Sequence, residues 1–378
     1  MHADRPLFAS TVGGFPRNGP HRELERAITA HRADPDDPDA AAALADTAGR
    51  LNASPVARAT AAGLESVPVG TFSFGDRMLD AAVLCGALGP GPGAGAPGPA
   101  GLPAWLGDYL DARERRPMRR WFGTPLEYAV PALDPGRPLA ADPGFLLDQV
   151  RAARRLHAPA RAVLMGPATF LALAEDAPLH RLAELVGVHR RILDALAGTG
   201  VRWVQYDEPI LAAAGAPAAA PGALRRLVEH AHGRGLRVLV NTFRGDAARA
   251  VGALAGVGAD AVGLDLVTSG LPELRPLPER TLVAAGVIDA LSPWRTDLDA
   301  ALGLLAPIAA TRPVAASTSA PLVHLPWSVA AEEPSARLRP RLAYAAEKVA
   351  EAVDLGRALH YPGAKRRPEF LRSRRARA

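Results

Sequence analysis

The chain contains eight short runs rich in apolar and β-branched residues, and this pattern constrains its fold more than any other feature. Most runs are followed by a segment of helical periodicity, and they lack the strict alternation of a half-exposed strand. Strands buried on both faces and separated by helices predict an α/β fold, the (β/α)8 TIM barrel. The runs begin at Leu7, Ser66, Ala162, Arg202, Arg237, Ala261, Leu282 and Pro313.

The first half of the chain is longer than a minimal barrel requires. We interpret a helical segment from about His21 to Ala62, and the region from Trp105 to Leu156, as additions to the barrel. Residues 86–104 are rich in glycine and proline and predict a flexible loop. We therefore predict one domain over residues 1–360, a TIM barrel with N-terminal helical decoration.

Basic residues are concentrated at the end of the chain. The net charge is +5, yet residues 361–378 carry seven basic residues against Glu369, so the remainder has a charge of −1. This distribution argues against a nucleic-acid-binding face. We predict that residues 361–378 form a basic, disordered tail, with electrostatic attachment to RNA, a membrane or an acidic partner as the alternative.

Several classes of protein are excluded or disfavoured by the sequence. No apolar run reaches the roughly 18 residues of a membrane span, and no signal-peptide pattern opens the chain, so we expect a cytoplasmic protein without membrane insertion. The chain has one cysteine, Cys85, which excludes an internal disulfide and a zinc site built on two cysteines. Its apolar surroundings favour a buried small residue. No nucleophile elbow or phosphate-binding glycine loop is present.

Polar side chains follow the predicted strands at their carboxyl ends, where TIM barrels place their chemistry. Carboxylates that meet at this mouth repel one another and need a cation, an arginine or a ligand amine beside them. Arg295 is the internal candidate, and a structural ion-pair network that closes the barrel is the alternative. For His324 the alternative is a neutral, hydrogen-bonded histidine at the rim. The candidate residues of the mouth are Asp207, Glu208, Asp265, Asp289, Arg295 and His324.

Six strings occur in the order typical of one enzyme family. The sharpest is "VQYDEPIL", Val204 to Leu211, in which a strand runs into Asp-Glu-Pro. The others are "SVPVGTFSFGDRMLDAAVLCGAL", "MGPATFLAL", "GLDLV", "AGVIDALSPWRTDLDAAL" and "STSAPLVHLP". With these strings nearly the whole chain resembles the N-terminal domain of cobalamin-independent methionine synthase.

The resemblance implies a role in methyl transfer from 5-methyltetrahydropteroylglutamate to homocysteine or another acceptor. In that family zinc, held by the C-terminal barrel, activates the acceptor thiol, so we expect no zinc on this chain and a separately encoded zinc-binding barrel as partner. The N-terminal domain is implied to hold the polyglutamate tail of the folate. The positions that match the tail-binding residues are Arg22, Glu23, Leu24, Glu25 and Arg120.

Glu25 departs from the family pattern, which has lysine at this position. Gly19 and Pro20 precede the predicted helix, so its free N–H groups, together with Arg22, would attract an anionic tail. A carboxylate at Glu25 would repel the same tail. An ordinary solvated helix face is the alternative interpretation of Arg22 and Glu25.

Three functions are therefore open at this point. The first is a folate-tail-binding domain that supports methyl transfer only with a zinc-bearing partner. The second is a stand-alone enzyme or sensor that binds a small amino-bearing molecule at the acidic barrel mouth. The third is a non-catalytic interaction protein that uses its basic tail as the contact.

Overall fold

Seven parallel strands, which lie side by side in chain order, form a curled sheet. The architecture is that of a computed structural model, which describes residues 8–91 and 98–377. The strands are β1 (Val67–Val69), β2 (Met118–Arg120), β3 (Glu127–Ala129), β4 (Ala160–Met165), β5 (Trp203–Asp207), β6 (Arg237–Asn241), β7 (Ala261–Asp265), β8 (Leu282–Ile288) and β9 (Val314–Thr318). The helices are α1 (Glu23–Ala33), α2 (Pro38–Ala62), α3 (Arg77–Leu84), α4 (Leu106–Arg115), α5 (Gly144–Arg155), α6 (Pro167–Leu173), α7 (Leu182–Ala197), α8 (Ala220–Gly233), α9 (Ala247–Leu254), α10 (Leu266–Ser269), α11 (Leu298–Ala309), α12 (Ala345–His360) and α13 (Pro368–Arg377).

The first predicted run closes the sheet into a barrel. Ser10 forms a parallel bridge with Ala316 of β9, and Thr11 forms a parallel bridge with Ser66, next to β1. The eight predicted runs therefore supply the seven strands and the eighth, bridging segment that closes the sheet, which confirms the barrel fold. The strands read as continuous apolar runs because side chains on both faces are buried, inside the barrel and beneath the helices.

A second core lies beside the barrel and holds the N-terminal decoration. It packs α1 and α2 against α4, and its buried members include Leu24, Leu44, Phe74, Leu106 and Tyr109. The region from Trp105 to Leu156 is only partly an addition, because α5 packs on β1 and β4 as the crossover helix between them. Of the predicted glycine- and proline-rich loop, residues 92–97 lie outside the described residues.

The predicted disordered tail is instead largely helical. Residues 368–377 form α13, whose Phe370 is fully buried. Arg374 donates to Asp299 on α11 at 2.8 Å, and Arg367 pairs with Asp354 on α12. The arginines thus meet acidic residues that are distant in the sequence, and burial of Phe370 adds an apolar anchor. Within the described residues, none of the helices is long and apolar enough to cross a membrane.

Candidate functional site

Asp207 ends β5 inside the barrel mouth, with 4% of its surface exposed. Its Oδ1 accepts hydrogen bonds from Gln205 Nε2 at 2.5 Å and from Asn241 Nδ2 at 3.3 Å. Its Oδ2 lies 3.9 Å from Arg77 Nη2. Burial raises the pKa of Asp207 to about 6, although Arg77 and the two amides act in the opposite direction. The protein itself therefore supplies the partners of this carboxylate.

Glu208 is fully buried and faces the start of α6, the helix that follows the neighbouring strand β4. Its carboxylate accepts hydrogen bonds from the backbone N–H groups of Thr169, at 2.5 Å, and Ala168, at 3.3 Å. These groups belong to the first turn of α6, where a negative charge also stabilises the helix dipole. Burial nevertheless raises the pKa of Glu208 to about 7. The side chain anchors α6 to β5.

The other two predicted carboxylates also accept hydrogen bonds from backbone N–H groups. Asp265 Oδ1 accepts hydrogen bonds from Val267 N at 2.9 Å and Thr268 N at 3.0 Å, and so caps α10. Asp289 Oδ1 accepts from Leu291 N at 2.9 Å in the turn after β8. Both arrangements are common local uses of aspartate at a cap or turn. The Oδ1 atoms of both residues are therefore occupied, whereas Asp265 Oδ2 is buried and has no hydrogen-bond partner among the described residues.

The expectation that Arg295 neutralises the carboxylates of the barrel mouth is wrong. Its Nη1 lies 2.7 Å from Glu369 on α13 and 3.8 Å from Glu351 on α12, and its Nε donates to the carbonyl of Pro340 at 3.1 Å. The guanidinium is therefore committed to the C-terminal helices. Because the predicted tail folds as α13, it supplies an acidic partner that sequence reasoning did not consider.

Arg161, on β4, is a buried residue inside the barrel that sequence reasoning missed; 1% of its surface is exposed. Its Nε donates to Gln205 Oε1 at 2.8 Å, and its Nη1 donates to Thr11 Oγ1 at 2.7 Å and to Ser66 Oγ. Its Nη2 donates to the Val12 carbonyl at 3.0 Å. One guanidinium thus joins the barrel-closing segment to three neighbouring parts of the barrel.

Arg161 and Arg77 are the two cations that act on Asp207. Burial lowers the pKa of Arg161 to about 10, and the charge of Asp207 opposes this change. The signal for Arg161 was present in the sequence, because an arginine directly precedes the apolar run "AVLMG" of a strand predicted to be buried. Arg77 carried no comparable signal, since it occupies the first turn of α3.

His324 lies just beyond β9, in a short 3-10 turn. Its Nδ1 is buried and has no hydrogen-bond partner among the described residues. Burial lowers the pKa of His324 to about 4, and the positive charges of Arg17 and Arg244 act in the same direction. The imidazole is therefore neutral at pH 7.

In the first predicted tail-binding segment, the charged side chains are partly bonded to one another and to the backbone. Arg22 donates to both carboxylate oxygens of Glu25, at 2.7 Å each, and both side chains are exposed. Glu23 Oε2 accepts from the backbone N–H of His21 at 3.2 Å, at the start of α1. Leu24 is 2% exposed and packs in the second core, so it is not available to a ligand.

The second predicted position, Arg120, lies on the exposed strand β2 of the β2–β3 hairpin, where it pairs in register with Glu127. Trp121 packs edge-on against Tyr128, with ring centroids 5.9 Å apart, and lies 6.5 Å from Phe243, which follows β6. The hairpin is therefore held against the carboxyl end of the barrel. Among the described residues, no hydrogen bond or ion pair joins Arg120 to the α1 segment.

Comparison with known proteins identifies the family. The model of the cobalamin-independent synthase N-terminal domain matches residues 9–313. The chain belongs to this family. Relatives from Mycobacterium tuberculosis (strain ATCC 25618 / H37Rv) and Rhodococcus jostii (strain RHA1) are 41% identical over 372 residues and 40% identical over 369 residues. Both are named 5-methyltetrahydropteroyltriglutamate–homocysteine methyltransferase.

These alignments cover 94% and 93% of this chain but 48% and 47% of the two relatives, so the chain spans about half the length of the curated relatives it matches. A B12-independent methionine synthase from Shewanella sp. W3-18-1, in complex with selenomethionine, superposes with a TM-score of 0.62 at 14% identity, covering 94% of this chain and 98% of that chain. A methyltransferase from Methanosarcina mazei gives a TM-score of 0.52 at 10% identity, covering 93% and 95%. These structures support the fold alone.

Cys85 is poorly suited to hold the zinc that the resemblance implies for the family. Cys85 is buried at the end of α3, where its thiol donates to the Ala82 carbonyl at 3.5 Å. Burial raises the pKa of this thiol to about 12, whereas a zinc ligand must be a thiolate. In residues 8–91 and 98–377, no group of three or more histidine, cysteine, aspartate or glutamate side chains has the arrangement of a metal site.

Proposed function

We propose that this chain is the folate-tail-binding part of a methionine synthase. It binds the oligoglutamyl tail of 5-methyltetrahydropteroylglutamate, and a separately encoded zinc-bearing barrel completes methyl transfer to homocysteine. The observation that carries the proposal is 41% identity, over 94% of the chain, to enzymes named for this folate and this acceptor. The chain aligns with 48% of such a relative, and our proposal assigns the part that it does not match to the separate barrel.

The proposed tail site uses the exposed arginines Arg22 and Arg120, with Arg119 beside the latter. A glutamyl tail offers several carboxylates along a flexible chain, and guanidinium groups bind carboxylates through two parallel hydrogen bonds. The N-terminal turn of α1 adds free backbone N–H groups and the positive end of the helix dipole. These features favour an acidic ligand of extended shape.

Glu25 and Glu23 compete with that ligand. The Arg22–Glu25 pair is exposed, so opening it costs only about 0–1 kcal/mol. Once displaced, the Glu25 carboxylate still repels an incoming anion, and Glu23 already accepts a hydrogen bond at the helix start. We therefore expect weaker tail binding here than in relatives with lysine at the position of Glu25.

The experiment is calorimetric titration of the full chain with the triglutamate and monoglutamate forms of methyltetrahydrofolate at low ionic strength. The triglutamate should bind more tightly, and Glu25→Lys should increase its affinity roughly tenfold while leaving the monoglutamate unchanged. Arg120→Ala should weaken triglutamate binding, whereas Arg191→Ala, at an exposed position on α7, is the matched control. Equal affinities for the two folates in all variants would contradict the tail-binding role.

The two alternatives receive less support. Amine binding at the mouth relies on Asp207, Glu208 and Asp265, each of which accepts hydrogen bonds within the protein, although Asp265 Oδ2 is buried without a partner among the described residues. It would gain support if an amino-bearing compound stabilised the chain against heat and Asp207→Asn abolished this effect. An interaction role for the basic tail is weakened because Arg367 and Arg374 are paired intramolecularly.

A further inference from the structure

A small pocket lies outside the barrel mouth, between α3, α5 and β4. Its volume is about 50 Å³, and its apolar wall includes Phe72, Trp105, Phe145 and Leu146. The ring of Phe145 lies 5.2 Å from that of Trp105 in an edge-to-face arrangement and 6.1 Å from that of Phe72. Each buried water needs about 10–15 Å³, so the pocket has room for a ligand of only a few non-hydrogen atoms.

The polar lining of this pocket includes two carboxylates, together with the Arg77 guanidinium and the Gln149 amide, which is bonded to the backbone of Phe72. Asp80 contributes from α3 and Asp142 from the loop before α5. Asp80 Oδ1 accepts a hydrogen bond from the Tyr109 hydroxyl at 3.0 Å, but its buried Oδ2 has no partner among the described residues. Arg77 also lines the pocket, yet its Nη1 donates to the Gly70 carbonyl at 2.8 Å and its other end faces the barrel mouth. One anionic acceptor is therefore left unsatisfied.

We propose that this pocket binds a small primary ammonium ion, with its charged group on Asp80 Oδ2 and its short alkyl part against Phe72, Trp105 and Phe145. Water gains few hydrogen bonds from such a wall, whereas aromatic rings attract a cation and its alkyl group. An anion is excluded by the two carboxylates, and an alcohol forfeits the charge-assisted hydrogen bond. The site is separate from the proposed folate-tail site, so each can be tested without the other.

Binding should depend on pH, because the ammonium ion needs ionised Asp80. Burial raises the pKa of Asp80 to about 7. The groups that face it are Arg77 on its own helix, Asp76 at the N-cap of that helix, Ser73 in the loop before it, Tyr109 on α4 and Arg17 from the N-terminal loop. The cations favour ionisation and Asp76 opposes it. With half of the Asp80 carboxyls ionised near pH 7, affinity should fall roughly tenfold from pH 8 to pH 6.

The test uses the full chain and two matched probes, propylammonium and propan-1-ol, followed by saturation-transfer NMR and thermal unfolding. At pH 8 the amine should bind roughly tenfold more tightly than the alcohol. Asp80→Asn should abolish both this preference and the pH dependence, and Ala81→Leu should fill the pocket and remove binding of both probes. Asp108→Asn, at an exposed position on α4, is the control and should change nothing.

Either of two results on the unaltered chain would overturn the proposal, even if a variant failed to fold. One is equal binding of the amine and the alcohol at pH 8, and the other is amine affinity that is the same at pH 6 and pH 8. Absence of binding by both probes would also refute it, because the pocket would then hold only water.

Discussion

Replacing Arg161 with methionine tests whether a buried cation holds the barrel closed. The side chain donates to Gln205, Thr11 and Ser66 and to the Val12 carbonyl. Methionine retains most of the apolar stem and introduces no new charge, but it removes every one of these donors. These buried acceptors then lose the guanidinium as a donor, while the barrel-closing segment loses its link to β4 and β5.

The expected cost follows from the burial of this side chain. Hydrogen bonds that involve a charged group contribute about 1.5–3 kcal/mol, and breaking a buried ionic arrangement from one side costs about 3–5 kcal/mol. Asp207 also loses one of the two cations that act on it. We therefore expect Arg161→Met to lower the free energy of unfolding by about 3–5 kcal/mol, a large share of the 5–15 kcal/mol typical of a domain.

The assay is urea unfolding followed by tryptophan fluorescence, with stability extrapolated to water. Arg155→Met is the matched control, because Arg155 is exposed at the end of α5 and should change stability by less than about 0.5 kcal/mol. Arg161→Lys should fall between the two, since it keeps the charge but loses the guanidinium fork. A loss below about 1 kcal/mol for Arg161→Met would refute the reasoning.

Two further outcomes are expected. The folded-state pKa of Asp207, about 6, exceeds its ordinary value of 3.8, so its contribution to stability is present below about pH 4 and is lost as pH rises to 6. Urea titrations across this range should show a fall of up to about 3 kcal/mol from this group, and Asp207→Asn should reduce the fall; an unchanged profile would contradict the assignment. Phe370→Ala should weaken the packing of α13 on the rest of the protein by about 3–5 kcal/mol, because Phe370 is fully buried. Amide hydrogen exchange in residues 368–377 should become faster. Unchanged exchange would show that Phe370 does not hold the helix in place.

The barrel could be predicted from the sequence because each strand and helix leaves a local pattern of apolar residues. The decoration was less clear, since α5 shares the helical periodicity of the added segments and only its packing on β1 and β4 marks it as part of the barrel. The prediction of a disordered C-terminal tail was wrong for a related reason. A run of arginines is typical of a solvated tail unless acidic partners lie nearby, and Asp299 is 75 positions from Arg374.

The positions of the candidate mouth residues were predictable, but their partners were not. A strand that ends in Asp-Glu-Pro must place Asp207 and Glu208 at the carboxyl end of the barrel. The sequence contains no sign that Glu208 binds the first turn of α6, because that turn lies about forty residues earlier. Arg295 shows the same limit, since its partner Glu369 is 74 positions away.

Local periodicity thus predicts the barrel, because burial repeats at short intervals along each strand and helix, and the six ordered strings indicate the family. Only the tertiary structure decides which charged side chains come into contact. Arg161 reaches Thr11 across 150 positions, and the same barrel directs Arg295 away from the carboxylates it was expected to neutralise. The physical reason is that a charge in low dielectric requires a partner within a few ångströms, whatever the distance between the two along the chain.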